Sequence, residues 1–191
     1  MFACIRAAQI PASVSITEFA YGFSPVVEEI GKGTVVIDVE GCELLFGSPY
    51  QLAGEVVKRA ETAVSVAVAA NPDAAIHVAT HLKGITFVSA GEELICLGDF
   101  PIERLDYSLA SVEKEVAAEI LETLRLWGVR TFADLAALPV AGVSERLGQA
   151  GIKLQQLAAG KTERHLHVKQ PEPVFSTTLE LADRVFEFER S

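Results

Sequence analysis

Carboxylates on one strand face can hold a divalent cation, and carboxylates two residues apart share such a face. Asp38 and Glu40 have that spacing in TVVIDVE, with Glu43 close behind. Solvated or structural acids are the simpler reading of the three. His77 and His81 stand four apart in PDAAIHVATHL, a spacing that could hold zinc on one helix face. No HExxH glutamate or third ligand accompanies them, so a polar helix face is the simpler reading. His165 and His167, in RHLHV, share a strand face within a polar linker, where a metal role is again the weaker reading. Cys4, Cys42 and Cys96 are odd in number and widely spaced. They make neither a disulfide framework nor a CxxC metal site, and buried thiols in a reducing cytoplasm are expected. Neither glycine-rich phosphate-loop fingerprint occurs. Trp127, before Gly128, reads as a core anchor rather than a base-stacking platform.

The elements that must position these residues fall into two stretches. In the first, MFACIRA, PVVEEI, TVVIDVE, AVSVAVA and GITFVSA have strand character, with Gly31 and Gly33 in the turn between the second and third. Helical segments separate them. Residues 13–22 form a short helix closed by Gly22. Ser48-Pro49 and Asn71-Pro72 each read as an N-cap followed by proline in the first turn, and GEELICLG is a further short helix. Strands separated by helices of this length make an α/β or α+β sheet domain. After about residue 106 the strand signal stops. SLASVEKEVAAEILETLRLWG reads as one amphipathic helix, capped by Ser108 or Ser111 and stopped by Gly128. Thr131 caps FADLAAL, Pro139 opens PVAGVSERLG, and GIKLQQLAAG ends at Gly160. The tail from residue 169 begins with a proline-marked linker and turns strand-like at VFSTTLEL.

With 191 residues, half of them hydrophobic, the chain can bury a substantial core. The net charge of −10 opposes non-specific binding to DNA or anionic membrane. It is uneven: −7 over residues 1–105, −1 over 106–168 and −2 over 169–191. The middle part is therefore the least repelled by a phosphate backbone. The first residues lack a basic leader, and TAVSVAVAANP is far short of a membrane span, so a cytoplasmic protein without a membrane partner is expected.

In this order, the pieces resemble the Y-family, translesion DNA polymerases, and most of all their ImuB branch. FSPVVEEIGKGTVVIDVEGCELLFG is similar to the palm segment that carries a Ser-Ile-Asp-Glu box. SVAVAANPDAAIHVATHLKGITFVSAGEE is similar to the palm strand and helix with an Asn-Lys-x-x-Ala-Lys pattern. LWGVRTFADLAALP is similar to the thumb's helix-hairpin-helix region, and LQQLAAGKTERHLHVKQPEPVFSTTLEL to the passage into the little finger. The resemblance implies an α+β fold, with a reduced palm over 1–105, a helical thumb over 106–168, and a linker and first strand toward a little finger over 169–191.

The departures carry the functional expectation. Y-family catalysis uses three carboxylates to hold two metal ions, which activate the 3′ hydroxyl and stabilise the triphosphate. Matching Ala12-Ser13-Val14 to the family's Ala-Ser-Val puts the first ligand position at Arg6 and the next aspartate at Ala8. An ungapped match from SPVVE to DVEG puts the other two at Gly33 and Thr34. The family's triphosphate lysine falls on Ile76. The resemblance thus implies no catalytic metal and no cofactor here. Only about ten residues lie where the fingers belong, so the chain reads as fingerless.

In the thumb, the family's Gly-apolar-Gly phosphate turn maps to Glu115-Val116-Ala117. Phosphate contact is left to the next hairpin, with Gly128, Arg130 and Thr131, helped by Arg146, Lys153 or Lys161. The resemblance implies a non-catalytic accessory factor in damage-induced mutagenesis. Its partners would be damaged DNA or primer-template through the thumb, the sliding clamp, RecA and an error-prone replicative-type polymerase. An active polymerase fragment and a remnant without DNA affinity are the alternatives.

Overall fold

The computed structural model describes residues 1–9, 15–31 and 33–168. The tail expected to begin a further domain lies outside these residues. The fold is α+β, as the alternation of strand and helix signals predicts. Its five-stranded sheet has the order β2-β3-β1-β4-β5. The strands are β1 (Phe2–Ala7), β2 (Val27–Gly31), β3 (Thr34–Asp38), β4 (Val64–Ala69) and β5 (Ile85–Phe87). All neighbours pair antiparallel except β4 and β5. Period-two alternation sends side chains to two buried faces. Ala3, Ile5, Val35, Ile37, Val66 and Val68 face one side, while Cys4, Val36, Ala67 and Ala69 face the other.

The first face is covered by α1 (Ile16–Tyr21) and by α3 (Pro49–Arg59), which follows the single turn α2 (Glu43–Phe46). Ser48 and Gln51 form a reciprocal capping box at the start of α3. The second face is covered by α4 (Pro72–His81), which packs across β1 and β4. Small side chains from both partners, Ala67 and Ala69 on the sheet and Ala74, Ala75 and Ala79 on the helix, line this contact.

Beyond α4 lie α5 (Glu93–Leu97), α6 (Lys114–Leu126), α7 (Phe132–Ala136) and α8 (Val140–Ala158). Helix α8 is broken at Gly148, whose φ of 64° interrupts the helical backbone. The apolar cluster on this side is continuous from Cys4 and Val36 in the sheet to Leu154 and Leu157 in α8. Thus α4 is buried between the sheet and the helices.

Three local expectations change. Helix α6 starts at Lys114, with neither Ser108 nor Ser111 as its cap. Asp106 diverts the chain: its carboxylate accepts from the backbone N–H and the hydroxyl of Ser108, and Ser111 takes a φ of 52°. Trp127 is 41% exposed and is not a core anchor. It ends α6 on the outer face, where the Arg146 guanidinium lies 5.8 Å from its ring centre. His165 and His167 lie in a segment without strand structure. The thiols fit the expectation in part: Cys4 and Cys42 are buried and Cys96 is partly so. Burial pushes the Cys4 thiol well up and the Cys42 thiol up, away from thiolate chemistry.

The end of the described chain is tied to α4 and β2. Arg164 Nε lies 2.6 Å from Asp73 Oδ1, and its Nη1 lies 2.7 Å from Glu28 Oε2. Thr162 Oγ1 donates to Asp73 Oδ2 at 2.6 Å. Burial alone would weaken the Arg164 charge, but the two carboxylates outweigh it and hold the guanidinium firmly charged. Asp73 is 1% exposed, so removing its carboxylate strands the buried guanidinium. Asp73→Ala is therefore expected to cost about 3 kcal/mol, the lower end for a broken buried pair. Urea unfolding checks this, and a loss below about 1 kcal/mol would show the pair to be dispensable.

Candidate functional site

At one end of the sheet, β1 lies between β3 and β4, and Arg6 stands opposite Thr34 on one side and Ser65 on the other. Ala7 N–H donates to the Gly33 carbonyl at 2.8 Å. The structure therefore brings Arg6, Gly33 and Thr34 together, although 28 positions separate Arg6 from Thr34 in sequence. Gly33 takes a φ of 81°, a conformation that favours glycine over aspartate. Arg6 Nη1 donates to the Thr80 carbonyl near the end of α4. A cavity of about 350 Å³ opens beside Arg6, with Ser65, Thr80, His81 and Lys83 among its lining residues and, among the described residues, no carboxylate.

The nearby acids do not reach this end. Asp38 stands opposite Phe2, four residues along the strand from the Arg6–Thr34 pair, or about 13 Å. Its carboxylate accepts from Glu40 N–H, and its carbonyl accepts from Ser24 Oγ. Glu40 lies beyond β3, so the expected shared strand face does not form. Asp38 is the last residue of β3, and its carboxylate serves the turn that follows. Ile76 is buried in the core beneath the sheet and points at no open site.

One of the two α4 histidines also differs from its expected place. His77 is 2% exposed, not on a polar face. Its Nδ1–H donates to the Asp73 carbonyl at 2.9 Å, and its Nε2 accepts from Asp106 N–H at 3.1 Å. Both ring nitrogens are thus used, which fixes a neutral tautomer and leaves no lone pair for a metal. His81 Nε2 lies 3.4 Å from the Arg104 carbonyl. Among the described residues, no group of three histidines, cysteines or acids could hold a metal ion.

The thumb-like candidates divide between two places. Gly128, Arg130 and Thr131 follow Trp127, which shares a small apolar cleft of about 240 Å³ with Arg146. Lys153 instead lines a separate cavity of about 430 Å³ with Arg164, and Lys161 lines neither. The backbone N–H groups of the turn are all engaged. Gly128 donates to Arg125 and Val129 to Leu124. Arg130 and Thr131 both donate to Asp134 Oδ2 at 2.9 Å. Thr131 and Asp134 complete a capping box for α7. The N–H of Arg130, then that of Thr131, holds the Asp134 carboxyl below its usual range. An internal carboxylate thus takes the N–H groups of Arg130 and Thr131. The stretch Glu115-Val116-Ala117 lies inside α6, with Ala117 in the core, so it forms no turn at all.

Sequence reasoning missed the Arg164–Asp73–Glu28 cluster, the Asp134 bonds to the Arg130 and Thr131 N–H groups, and the cavity that Arg6 and Lys83 both line. Only the capping pair Thr131/Asp134 had a local signal, a Thr followed by an acid three residues on.

No protein-family model matches the chain. Among curated relatives, DNA polymerase IV 2 of Mesorhizobium japonicum is 28% identical over 155 residues, covering 78% of this chain and 35% of its own. DNA polymerase IV of Dehalococcoides mccartyi is 30% identical over 148 residues, covering 74% and 36%. Among solved structures, DinB from Sulfolobus solfataricus matches at a TM-score of 0.55 and 17% identity, over 79% of this chain and 44% of that one. A Y-family DNA polymerase chimera matches at 0.57 and 17%, over 82% and 45%. The chain is related to the Y-family DNA polymerases. It spans about a third of the length of those curated Y-family relatives. Among the described residues, no helix is long and apolar enough to cross a membrane.

Burial is the main cause holding the His77 imidazole below its usual range, against the Asp73 carbonyl and the Asp106 and Asp73 carboxylates. The unfolded chain therefore takes up a proton near pH 6.5 that the folded chain refuses. Stability from this group is full above that pH and declines as pH falls below it. Thermal melts from pH 8 to 5 are expected to fall more steeply for the native protein than for His77→Gln. Parallel profiles would remove His77 as the cause.

Proposed function

We propose that the chain is a non-catalytic relative of the Y-family polymerases, of the ImuB-like kind, that serves translesion synthesis and mutagenesis as an accessory factor. One observation carries the reading. Arg6, Gly33 and Thr34, the positions that the family match gives to the metal ligands, meet at one sheet end, and among the described residues no carboxylate lines the cavity beside Arg6. A guanidinium at that point repels a divalent cation, so two-metal chemistry has nothing to hold it. In this reading residues 1–105 are the palm, 106–168 the thumb and 169–191 the approach to a little finger.

Primer-template DNA is the proposed ligand of the thumb face, held through Arg130 and Arg146 beside Trp127. Gly128 and Thr131 shape the turn that presents them. Lys153 and Lys161 add charge from other faces. The sliding clamp, RecA and an error-prone replicative-type polymerase are the proposed protein partners, at damaged DNA in the cytoplasm. The names of the curated relatives favour a second reading, a fragment of an active translesion polymerase.

Primer extension with magnesium or manganese separates the two. The purified chain is expected to add no nucleotide under conditions in which a DNA polymerase IV extends the primer. Extension that survives repurification would sink the non-catalytic reading.

Trp127 is the sole tryptophan, and its exposure makes its emission a direct report on the thumb face. Primer-template added at low salt is expected to change that emission. The apparent affinity should fall about tenfold or more in Arg130→Glu/Arg146→Glu, and the salt slope should shrink with it. Unchanged emission and affinity would favour a remnant without DNA binding.

A further inference from the structure

The cavity beside Arg6 has an electrostatic character that loss of catalysis alone does not require. Replacing three acids by neutral residues would leave a neutral hollow. Here Arg6 and Lys83 both line it, and His81 joins them. Arg104 stands next to His81 through its carbonyl. Among the described residues, no carboxylate pairs with Arg6, Lys83 or Arg104. Residues 1–105 carry only 6 basic against 13 acidic side chains, so a cavity with cations and, among the described residues, no acid runs against the local composition.

Arg6 also has a structural duty at the end of α4, where its guanidinium meets the Thr80 carbonyl. A helix C-terminus carries about half a negative charge. Two full charges line the cavity and a third stands close by, so the helix end leaves most of the positive field uncompensated. Among the described residues the Thr80 carbonyl is the one hydrogen-bond partner of the Arg6 guanidinium, and it takes Nη1 alone. Ser65, opposite Arg6 on β4, adds a hydroxyl donor. Partial burial is the main cause holding the His81 imidazole low, and the charges of Arg104 and Arg6 push the same way. The volume, about 350 Å³, sits at the lower end of small-ligand sites, which run from roughly 300 to 1,000 Å³.

We propose that the cavity lined by Arg6, Lys83 and His81 binds phosphoryl anions directly, without a bridging metal ion. The phosphoryl group belongs either to the backbone of a nucleic-acid strand or to the polyphosphate of a free nucleotide. The proposal deepens the non-catalytic reading, and rests on it, by giving the cavity beside Arg6, one of the three vacated ligand positions, a ligand of opposite sign to a metal ion. A direct guanidinium and ammonium contact replaces the metal as the counter-charge.

The test titrates the full chain, in EDTA, with inorganic pyrophosphate, with dATP and with a fluorescein-labelled single-stranded 15-mer. Calorimetry follows the first two and anisotropy the third. Saturable pyrophosphate binding in EDTA is expected, weakened at least tenfold by Lys83→Ala and by Arg6→Ala. Lys83→Ala removes no side-chain hydrogen bond of the fold, so its effect does not depend on folding. Lys58→Ala, on the outer side of α3, should bind as the native chain does. Displacement of the 15-mer by pyrophosphate would assign the site to strand phosphates. Binding of dATP without such displacement would assign it to free nucleotides. Absence of saturable binding in EDTA, a requirement for magnesium, or equal affinity in the Arg6, Lys83 and Lys58 variants would overturn the proposal. None of these outcomes depends on primer extension, so the anion site and the non-catalytic reading fail separately.

Discussion

Helix α4 is buried between a sheet and a layer of helices, and every polar group it carries must find a partner inside the protein. Buried polar groups left unpaired cost more than most single contacts return. Asn71 accepts from the N–H groups of Asp73 and Ala74 while donating its own amide to Thr162. Asp73 takes the hydroxyl of Thr162 and the guanidinium of Arg164. His77 joins the Asp73 carbonyl to Asp106 N–H. Three polar side chains on one helix thus recruit residues 106, 162 and 164. The path of the chain after the sheet follows from satisfying them.

That constraint also explains the different fates of the two ends of β1. Near Asp38 the chain turns tightly, and the acid serves the turn. Near Arg6 the strand meets the end of α4, and its side chain answers the Thr80 carbonyl. A carboxylate at position 6 would face that same carbonyl and the negative end of the helix. Arginine suits both, and in doing so sets the sign of the cavity beside it. The substitution is therefore coherent with its surroundings and not merely a missing ligand.

Much of the fold was legible because its signals were local. Ser48-Pro49, Asn71-Pro72 and Thr131 stand where the helices α3, α4 and α7 begin, and period-two runs marked the strands. The convergence of Arg6 with Gly33 and Thr34 was accessible through family order and strand pairing. What escaped depended on distance in sequence. Nothing near His77 announces that Asp106 will bond its ring, so spacing alone placed it on a surface. Trp127 looked like an anchor by residue type and by its place seven residues after Ile120, yet it is the C-cap of α6, past the stretch whose Ala117, Ile120 and Leu124 are buried. The α6 start was misread because Asp106 and Ser111 shape a turn within an otherwise helical composition.

The Asp134 and Arg164 clusters point to one physical theme. In each, a charged side chain of the chain itself occupies a position that could otherwise recruit an ion. Asp134 takes the backbone N–H groups of Arg130 and Thr131, a geometry suited to phosphate. Arg164 lies between Glu28 and Asp73, a pair of carboxylates that would otherwise repel. Internal partners cost no translational entropy, so they outcompete an external ion at ordinary concentrations. The cavity beside Arg6 differs in this respect. Its cations have no internal carboxylate among the described residues, so the positive field stays open to solvent and to whatever anion reaches it.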